Sequence, residues 1–178
     1  MPIKNTKYKF LLQQYKNRIY NYSLMLLRSR MDADDVTQEV FIRIWKNIDT
    51  FNIMAAKTWI MKTTHNLCMD YLRKRKRAFK NECEINDEFE ESYSDCGISG
   101  NPLLSVHLDM MADVAREAVK RLPDPLRSAF VLYELQGMKY KEISLILDIP
   151  LNSVKVYILR ARKKLQEDLR EYATNEII

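Results

Sequence analysis

Apolar residues recur every three or four positions along most of the chain, and no alternating strand pattern interrupts them. In the N-terminal half, this spacing predicts one helix over 10–27 and another over 31–49. In the C-terminal half, it predicts helices over 107–120 and 125–135, followed by two short helices within 138–164. The chain contains only three glycines and five prolines, so few positions break these helices. The pattern therefore predicts an all-α fold.

The segment 138–164, MKYKEISLILDIPLNSVKVYILRARKK, contains two amphipathic stretches separated by a short break. Pro150 marks the break, because proline lacks an amide donor and disfavours helix in the residue before it. Asn152 or Ser153 is expected to cap the second helix. The apolar faces consist of Ile143, Ile146 and Leu147 in the first helix, and of Val154, Ile158, Ala161 and Leu165 in the second. Such a pair is typical of a helix-turn-helix, whose second helix lies in the DNA major groove.

The apolar stripe of this second helix leaves a basic outer face. That face comprises Lys155, Val156, Leu159, Arg160, Arg162 and Lys163. Cations suit contact with phosphates, and the other two residues offer apolar surface. A plain helical hairpin with a solvated basic face is the alternative. The break, the expected cap and the basic outer face all agree with DNA binding, which we therefore favour.

The net charge of +5 conceals a strongly acidic segment. Residues 78–106 contain one cation and seven anions, so this segment carries −6 and the rest of the chain +11. The segment lacks helical periodicity and holds two of the three glycines, which predicts a flexible linker. It separates a domain over 1–77 from a second domain over 107–178. The linker acts either as a solvated tether or as a mimic of nucleic acid in a channel, and composition alone favours the tether.

The predicted helix over 31–49 carries acidic side chains near its N-terminus, where the helix dipole favours them, and Asp32 is its expected cap. Its buried stripe is expected to comprise Val36, Val40, Phe41, Ile44 and Ile48. Its polar outer face comprises Asp35, Gln38, Glu39 and Arg43. An acidic surface repels phosphates, so this face is expected to meet solvent or a basic protein partner. Spacing alone favours solvent.

A basic segment over 57–77 holds seven cations and one anion. Residues 73–77 are all Arg or Lys, and His65 and Asn66 are expected to form a turn between two helices. Cations that bind phosphates, together with small polar side chains that reach base edges, are the composition of a nucleic-acid surface. A solvated cationic helix end is the alternative. The helix-turn-helix in the same chain favours the nucleic-acid surface.

No residue set points to catalysis. The chain has no glycine-rich phosphate loop, and its two histidines lie far apart in sequence. Its three cysteines are widely spaced and predict neither a disulfide framework nor a metal site; a zinc site from Cys83, Cys96 and His107 lacks a close ligand pair. The sequence shows no signal-peptide core and no membrane-spanning apolar run. We therefore expect a cytoplasmic binding protein without a cofactor.

Four stretches together resemble an extracytoplasmic-function (ECF) RNA polymerase sigma factor. In chain order they are DADDVTQEVFIRIW, KTWIMKTTHNLCMDYLRKRKR, the acidic linker, and LPDPLRSAFVLYELQGMKYKEISLILDIPLNSVKVYILRARKKL. The likeness extends over about 10–169, and several independent motifs in the right order make it specific. It implies a protein of two small helical domains that directs core RNA polymerase to promoters and is not an enzyme.

The resemblance implies a role for each exposed group. The acidic helix would dock on the clamp helices of the largest polymerase subunit through Asp35, Gln38, Glu39 and Arg43. Asn66 would capture a flipped base of the minus-ten element, and the other minus-ten contacts would be Lys62, Thr64, His65, Arg73, Arg75 and Arg77. In the minus-thirty-five element, Lys155, Val156, Leu159 and Arg160 would face bases, while Arg162 and Lys163 would hold phosphates.

The resemblance also implies partners, and it has one local departure. An anti-sigma factor is the expected regulator, and the acidic linker would occupy the active-site and RNA-exit channel of the polymerase. After the turn, members often have small residues and Ser-Arg, whereas this chain has Asn152 and Ser153 before Val154, followed by Val156 and Tyr157. The promoter sequence is therefore not transferable from relatives. Two other functions stay open: a stand-alone helix-turn-helix regulator of duplex DNA, and an enzyme acting on nucleic acid such as a recombinase.

Overall fold

In a computed structural model of the chain, the structure describes residues 2–50, 55–83 and 105–175. These residues form seven α-helices and one π-helical turn, without a strand, which confirms the all-α prediction. The helices are α1 (Pro2–Leu27), α2 (Arg30–Asn47), α3 (Ala56–Cys83), α4 (Ser105–Arg121), α5 (Asp124–Phe130), α6 (Tyr140–Leu147) and α7 (Leu151–Asn175). The π-helical turn Val131–Leu135 continues α5. Most of the predicted linker, 84–104, lies outside the described residues.

Helix α2 packs against α1 and α3 through the predicted apolar stripe, all five members of which are buried. The cap differs from the prediction. Ser29, in extended conformation, is the N-cap, and its hydroxyl accepts a hydrogen bond from the Asp32 amide at 3.2 Å. Asp32 therefore lies inside the first turn. The serine hydroxyl satisfies the helix-terminal donor, which leaves the Asp32 carboxylate available to other partners.

Helix α3 is continuous, so the predicted turn at His65 and Asn66 is wrong. The apolar residues on either side of this pair, Ile60, Met61, Leu67 and Cys68, are all buried, so a single helical stripe faces the core. The hydroxyl of Thr64 donates to the Ile60 carbonyl at 2.8 Å, which satisfies a polar group inside the helix. The helix also continues to Cys83, so the first six residues of the predicted linker are helical.

Helices α6 and α7 form the predicted helix-turn-helix. Helix α6 ends at Asp148 in left-handed conformation (φ 55°), and the Ser144 hydroxyl holds the turn by donating to the Ile149 carbonyl at 2.6 Å. The cap prediction is wrong, because α7 begins at Leu151 and places Asn152 and Ser153 within its first turn. The Pro150 carbonyl already accepts the first helical bond, from the Val154 amide at 3.2 Å.

The two halves pack on one another, with α1 against α4 and α5 and with α3 against α6. Arg127 on α5 connects them, since its side chain is only 3% exposed. Its guanidinium donates to the Lys120 carbonyl at 2.7 Å and, across the interface, to the Leu26 carbonyl at 3.2 Å. The Asp124 carboxylate balances its charge at 2.5 Å. This cation therefore satisfies carbonyls at the ends of two helices that meet at the interface.

Candidate nucleic-acid and polymerase interfaces

The outer face of α7 is open. Five of the six residues predicted to face DNA are exposed and have no polar partner among the described residues: Lys155, Val156, Leu159, Arg160 and Lys163. Leu159 and Val156 are 68% and 40% exposed, which is high for apolar side chains. The opposite stripe of α7 is buried as predicted. The face thus combines unpaired cations with accessible apolar groups, as a major-groove surface requires.

Arg162, the sixth predicted residue, is held to the protein. Its Nε and Nη2 atoms lie 2.9 and 2.6 Å from Oε1 of Glu134, and its guanidinium lies 5.4 Å from the centre of the Tyr133 ring. The Glu134 carboxylate raises the pKa of Arg162 above its ordinary value. With 100° per residue, Arg162 lies at the edge of the exposed face rather than at its centre. It joins α7 to the π-helical turn.

The polar residues of α3 divide between two sides of the helix. Lys62, Asn66, Arg73 and Arg77 lie within about 60° of one another around the axis and form one stripe, which we call the α3 stripe. Asn66 is exposed at its centre, while Arg73 pairs with Asp70 at 2.9 Å. Trp59, which sequence reasoning missed, is 37% exposed at the N-terminal end of the same stripe. Trp59 lies seven residues before Asn66, and this spacing could have placed it on the same side of the helix.

Thr64 and His65 lie on the other side of α3, and their buried position contradicts the prediction that they contact DNA. Thr64 is fully buried and His65 is 8% exposed. Nδ1 of His65 is hydrogen-bonded to Oη of Tyr22 at 2.9 Å. Burial lowers the pKa of His65 to about 4, so the ring is neutral at pH 7. These two residues support the core instead of the surface.

Arg75 is held by the protein, although 43% of its side chain is exposed. Its guanidinium donates to the Leu27 carbonyl at 3.1 Å and to the Asp32 carboxylate at 2.5 Å. This arginine caps the C-terminus of α1 and pairs with the Asp32 carboxylate, which is available because Ser29 caps α2. The prediction grouped it with Arg73 and Arg77 because all three belong to one cationic run. Helical geometry separates them, since Arg75 points about 160° away from Arg77.

The predicted acidic face of α2 is accessible. Asp35 and Gln38 are exposed, and Glu39 is half-buried beside Arg43, with which it forms an ion pair at 2.8 Å. Ile42, 47% exposed, lies between these residues and was missed because only the polar members of the face were considered. An exposed apolar residue among carboxylates is a feature of protein interfaces rather than of nucleic-acid surfaces.

Trp45 continues the acidic face toward α1. Its ring is 40% exposed and stands edge-on to Tyr8, with ring centres 5.0 Å apart. The Lys4 ammonium lies 5.2 Å from the centre of the Trp45 ring. Phe41, one turn earlier, is buried and also meets Tyr8 edge-on. These aromatic contacts fix the C-terminal end of α2 and keep part of the indole accessible.

The described residues contain no cluster of three His, Cys, Asp or Glu side chains arranged to hold a metal ion. The side chains of Cys83, Cys96 and His107, considered above for zinc, fall outside the part of the chain that the structure describes. No helix in the described ranges has both the length and the apolar character to cross a membrane.

Both halves of the chain match known protein families. Residues 11–78 match Sigma-70 region 2, and residues 112–165 match Sigma-70 region 4. The ECF RNA polymerase sigma factor SigW of Bacillus subtilis is 30% identical over 163 residues, which cover 88% of this chain and 86% of SigW. The ECF RNA polymerase sigma-E factor of Haemophilus influenzae is 30% identical over 170 residues, which cover 92% of this chain and 87% of that factor.

Solved structures agree on the fold. The sigma factor RpoE of Bartonella quintana, in complex with the anti-sigma factor NepR, superposes with a TM-score of 0.74 at 22% identity, covering 91% of this chain and 96% of RpoE. CnrH, in complex with the cytosolic domain of CnrY, superposes with a TM-score of 0.64 at 19% identity. The superposition covers 92% of this chain and 88% of CnrH. A region 2 beside a helix-turn-helix disfavours a stand-alone regulator. The chain belongs to the ECF sigma factors, alternative sigma factors that direct RNA polymerase to promoters.

Proposed function

We propose that three faces of the chain divide the work of initiation. The acidic face of α2 docks on the clamp helices of the largest subunit of core RNA polymerase, the α3 stripe binds the minus-ten element, and the outer face of α7 reads the minus-thirty-five element. The observation that carries this proposal is the separation of one acidic and two basic exposed faces on different helices. A protein that bound only duplex DNA would have no use for the acidic face.

The docking surface consists of Asp35, Gln38, Glu39 and Arg43, with Ile42 between them. Carboxylates at the rim steer a basic partner, while Ile42 supplies apolar area that becomes buried on contact. Because Arg43 pairs with Glu39 along the helix, it orients this carboxylate rather than cancelling the whole acidic face. The surface therefore suits a protein partner with basic side chains around an apolar centre.

The α3 stripe suits a single strand. Asn66 offers both a donor and an acceptor to a flipped base, and Lys62, Arg73 and Arg77 lie along the same face to hold phosphates. Flipping one base costs a few kcal/mol of unstacking, which hydrogen bonds and stacking at the protein offset. Capture of the base after thermal opening would promote promoter melting without ATP. The protein's role is thus one of binding, in the cytoplasm where the polymerase works, with no catalytic step of its own.

An anti-sigma factor is the proposed regulator. The structurally similar RpoE and CnrH were each solved in complex with a protein partner, NepR and CnrY respectively. A partner that covers the acidic face of α2 would compete directly with core polymerase, and this competition is measurable with purified components.

Co-purification with bacterial core RNA polymerase, followed by runoff transcription from a promoter library, tests the proposal. Retention on core and promoter-dependent initiation are expected. Glu39→Lys should abolish retention because it places a cation in the middle of the acidic face, whereas Asp34→Lys makes the same charge change about 40° beyond the edge of that face and should retain core binding. If Glu39→Lys binds core as well as the unaltered chain does, the docking surface is assigned incorrectly.

A further inference from the structure

Asn152 was expected to cap α7, but the structure gives it a different position. Helix α7 begins at Leu151, and Asn152 is an exposed residue of the first turn. Its amide has no hydrogen-bond partner among the described residues. A capping asparagine would have its side-chain oxygen engaged by a backbone amide. The Asn152 side chain is therefore available for another partner.

The angular position of Asn152 places it on the DNA-facing side of α7. The buried stripe centres near Val154 and Ala161, and Asn152 lies opposite that stripe. With 100° per residue, Val156, Leu159 and Lys163 lie within about 40° of Asn152 around the helix axis. Lys155 and Arg160 flank this set, while Arg162 is held at the edge by Glu134. Asn152 is thus at the centre of the face, at its N-terminal end.

The chemistry of Asn152 differs from that of the six residues predicted to face DNA. The side chains of Lys155, Arg160 and Lys163 donate hydrogen bonds but do not accept them. Those of Val156 and Leu159 neither donate nor accept. An asparagine amide both donates and accepts, which matches N7 and the N6 amino group of adenine in the major groove. The N-terminal residues of a recognition helix are those that contact base edges. The face therefore has one side chain suited to adenine, next to two suited to thymine methyl groups.

We propose that Asn152 is a specificity-determining residue that reads one adenine of the minus-thirty-five element, beside thymines met by Val156 and Leu159. This inference rests on the proposed function, because it assigns a base to a surface already proposed to read DNA. It extends that proposal with a residue outside the predicted set. It also names the base: adenine, because only adenine offers an acceptor and a donor in the spacing of a primary amide.

The test uses the chain in complex with core polymerase and a promoter library randomised across the minus-thirty-five element. The unaltered protein is expected to prefer adenine at one position by about tenfold, and Asn152→Ala should abolish that preference while leaving those at other positions. Asn152→Asp should shift the preference toward cytosine, whose amino group donates to a carboxylate. Gln166→Ala is the matched control: it removes another exposed amide of α7, about 21 Å further along the helix, and should change no base preference.

The outcomes distinguish a failure of the Asn152 assignment from a failure of the proposed function. If the holoenzyme initiates at preferred promoters and Asn152→Ala leaves every base preference unchanged, Asn152 does not read DNA, and the proposed function stands. Loss of a guanine or thymine preference instead would overturn the adenine assignment. If the chain supports no promoter-dependent initiation at all, the proposed function fails and the assignment of Asn152 fails with it. Asn152→Asp guards against a trivial loss, since a gained preference requires a folded protein.

Discussion

Helices α3 and α7 are both basic, both amphipathic and both predicted to bind DNA, yet they present their polar residues differently. Five of the six predicted residues on α7 are exposed without a partner in the described ranges, whereas on α3 two of the seven are buried and a third is bonded to another helix. Thr64 and His65 are buried, and Arg75 is engaged at the end of α1. The difference lies in the environment of each helix rather than in its composition.

What distinguishes the two helices is the width of the sector that is buried. Helix α3 packs against α1, α2 and α6, so a wide sector of its surface is covered and some polar residues fall inside that sector. Helix α7 packs against α4, α5 and α6 through one narrow stripe, Val154, Ile158, Ala161 and Leu165. A polar residue in a helix with a wide buried sector needs a partner within the protein. A polar residue on α7 remains available to DNA.

The largest effect should come from placing a charge on the inner side of α3. Thr64→Asp puts a carboxylate at a fully buried position, and we expect a loss of about 4 kcal/mol or more in the free energy of unfolding, because burial raises a carboxyl pKa by several units. Asn66→Asp, two residues away on the α3 stripe, should change the free energy of unfolding by less than about 0.5 kcal/mol. Urea denaturation followed by circular dichroism measures both. Equal losses would show that the two residues share one environment.

His65 should give α3 a pH-dependent stability that α7 lacks. Its pKa is about 4 in the folded chain and near 6.5 in the unfolded chain. As the pH falls from about 6.5 to about 4, the unfolded state therefore binds a proton that the folded state does not, and stability falls by about 3 kcal/mol before levelling off. Urea titrations at pH 7, 6 and 5 should show this slope in the unaltered chain and a shallower one in His65→Gln. An unchanged slope in His65→Gln would assign the effect to other groups.

The sequence predicted most of the fold and the outer face of α7, but not the inner face of α3. Helical spacing identified the buried stripes of α2 and α7, because long periodic segments report burial directly. It misplaced the His65–Asn66 pair, because polar residues in mid-helix look like a break when their partner is distant. Tyr22, which is hydrogen-bonded to His65, lies 43 positions earlier in the chain. The cap predicted at Asn152 or Ser153 lies two or three residues too late, since Pro150 could precede the helix as well as interrupt it.

A buried arginine and an exposed arginine should differ in the same way, with a smaller effect on the free energy of unfolding. Arg127→Met removes a buried guanidinium that donates to the carbonyls of Lys120 and Leu26, and we expect a loss of about 2 kcal/mol in the free energy of unfolding. Arg160→Met removes an exposed arginine of α7 and should cost less than about 0.5 kcal/mol. Urea midpoints of the two variants compare them directly. A cost for Arg160→Met as large as for Arg127→Met would mean that the α7 face is structural and not free for DNA.

The smallest effect tests whether the free face of α7 reads bases as well as phosphates. Leu159 is 68% exposed, and a thymine methyl packed on it is worth about 0.8 kcal/mol, or roughly fourfold in affinity. Replacing the thymines of the minus-thirty-five element by deoxyuridine one at a time should therefore weaken binding of the holoenzyme about fourfold at the position that Leu159 meets. Leu159→Ala should abolish the difference between thymine and uracil at that position. Lys163→Gln should retain it and instead reduce the salt dependence of binding by about one phosphate contact. If Leu159→Ala retains the difference between thymine and uracil at every position, Leu159 does not meet a thymine methyl group, and its exposed surface has no part in reading bases.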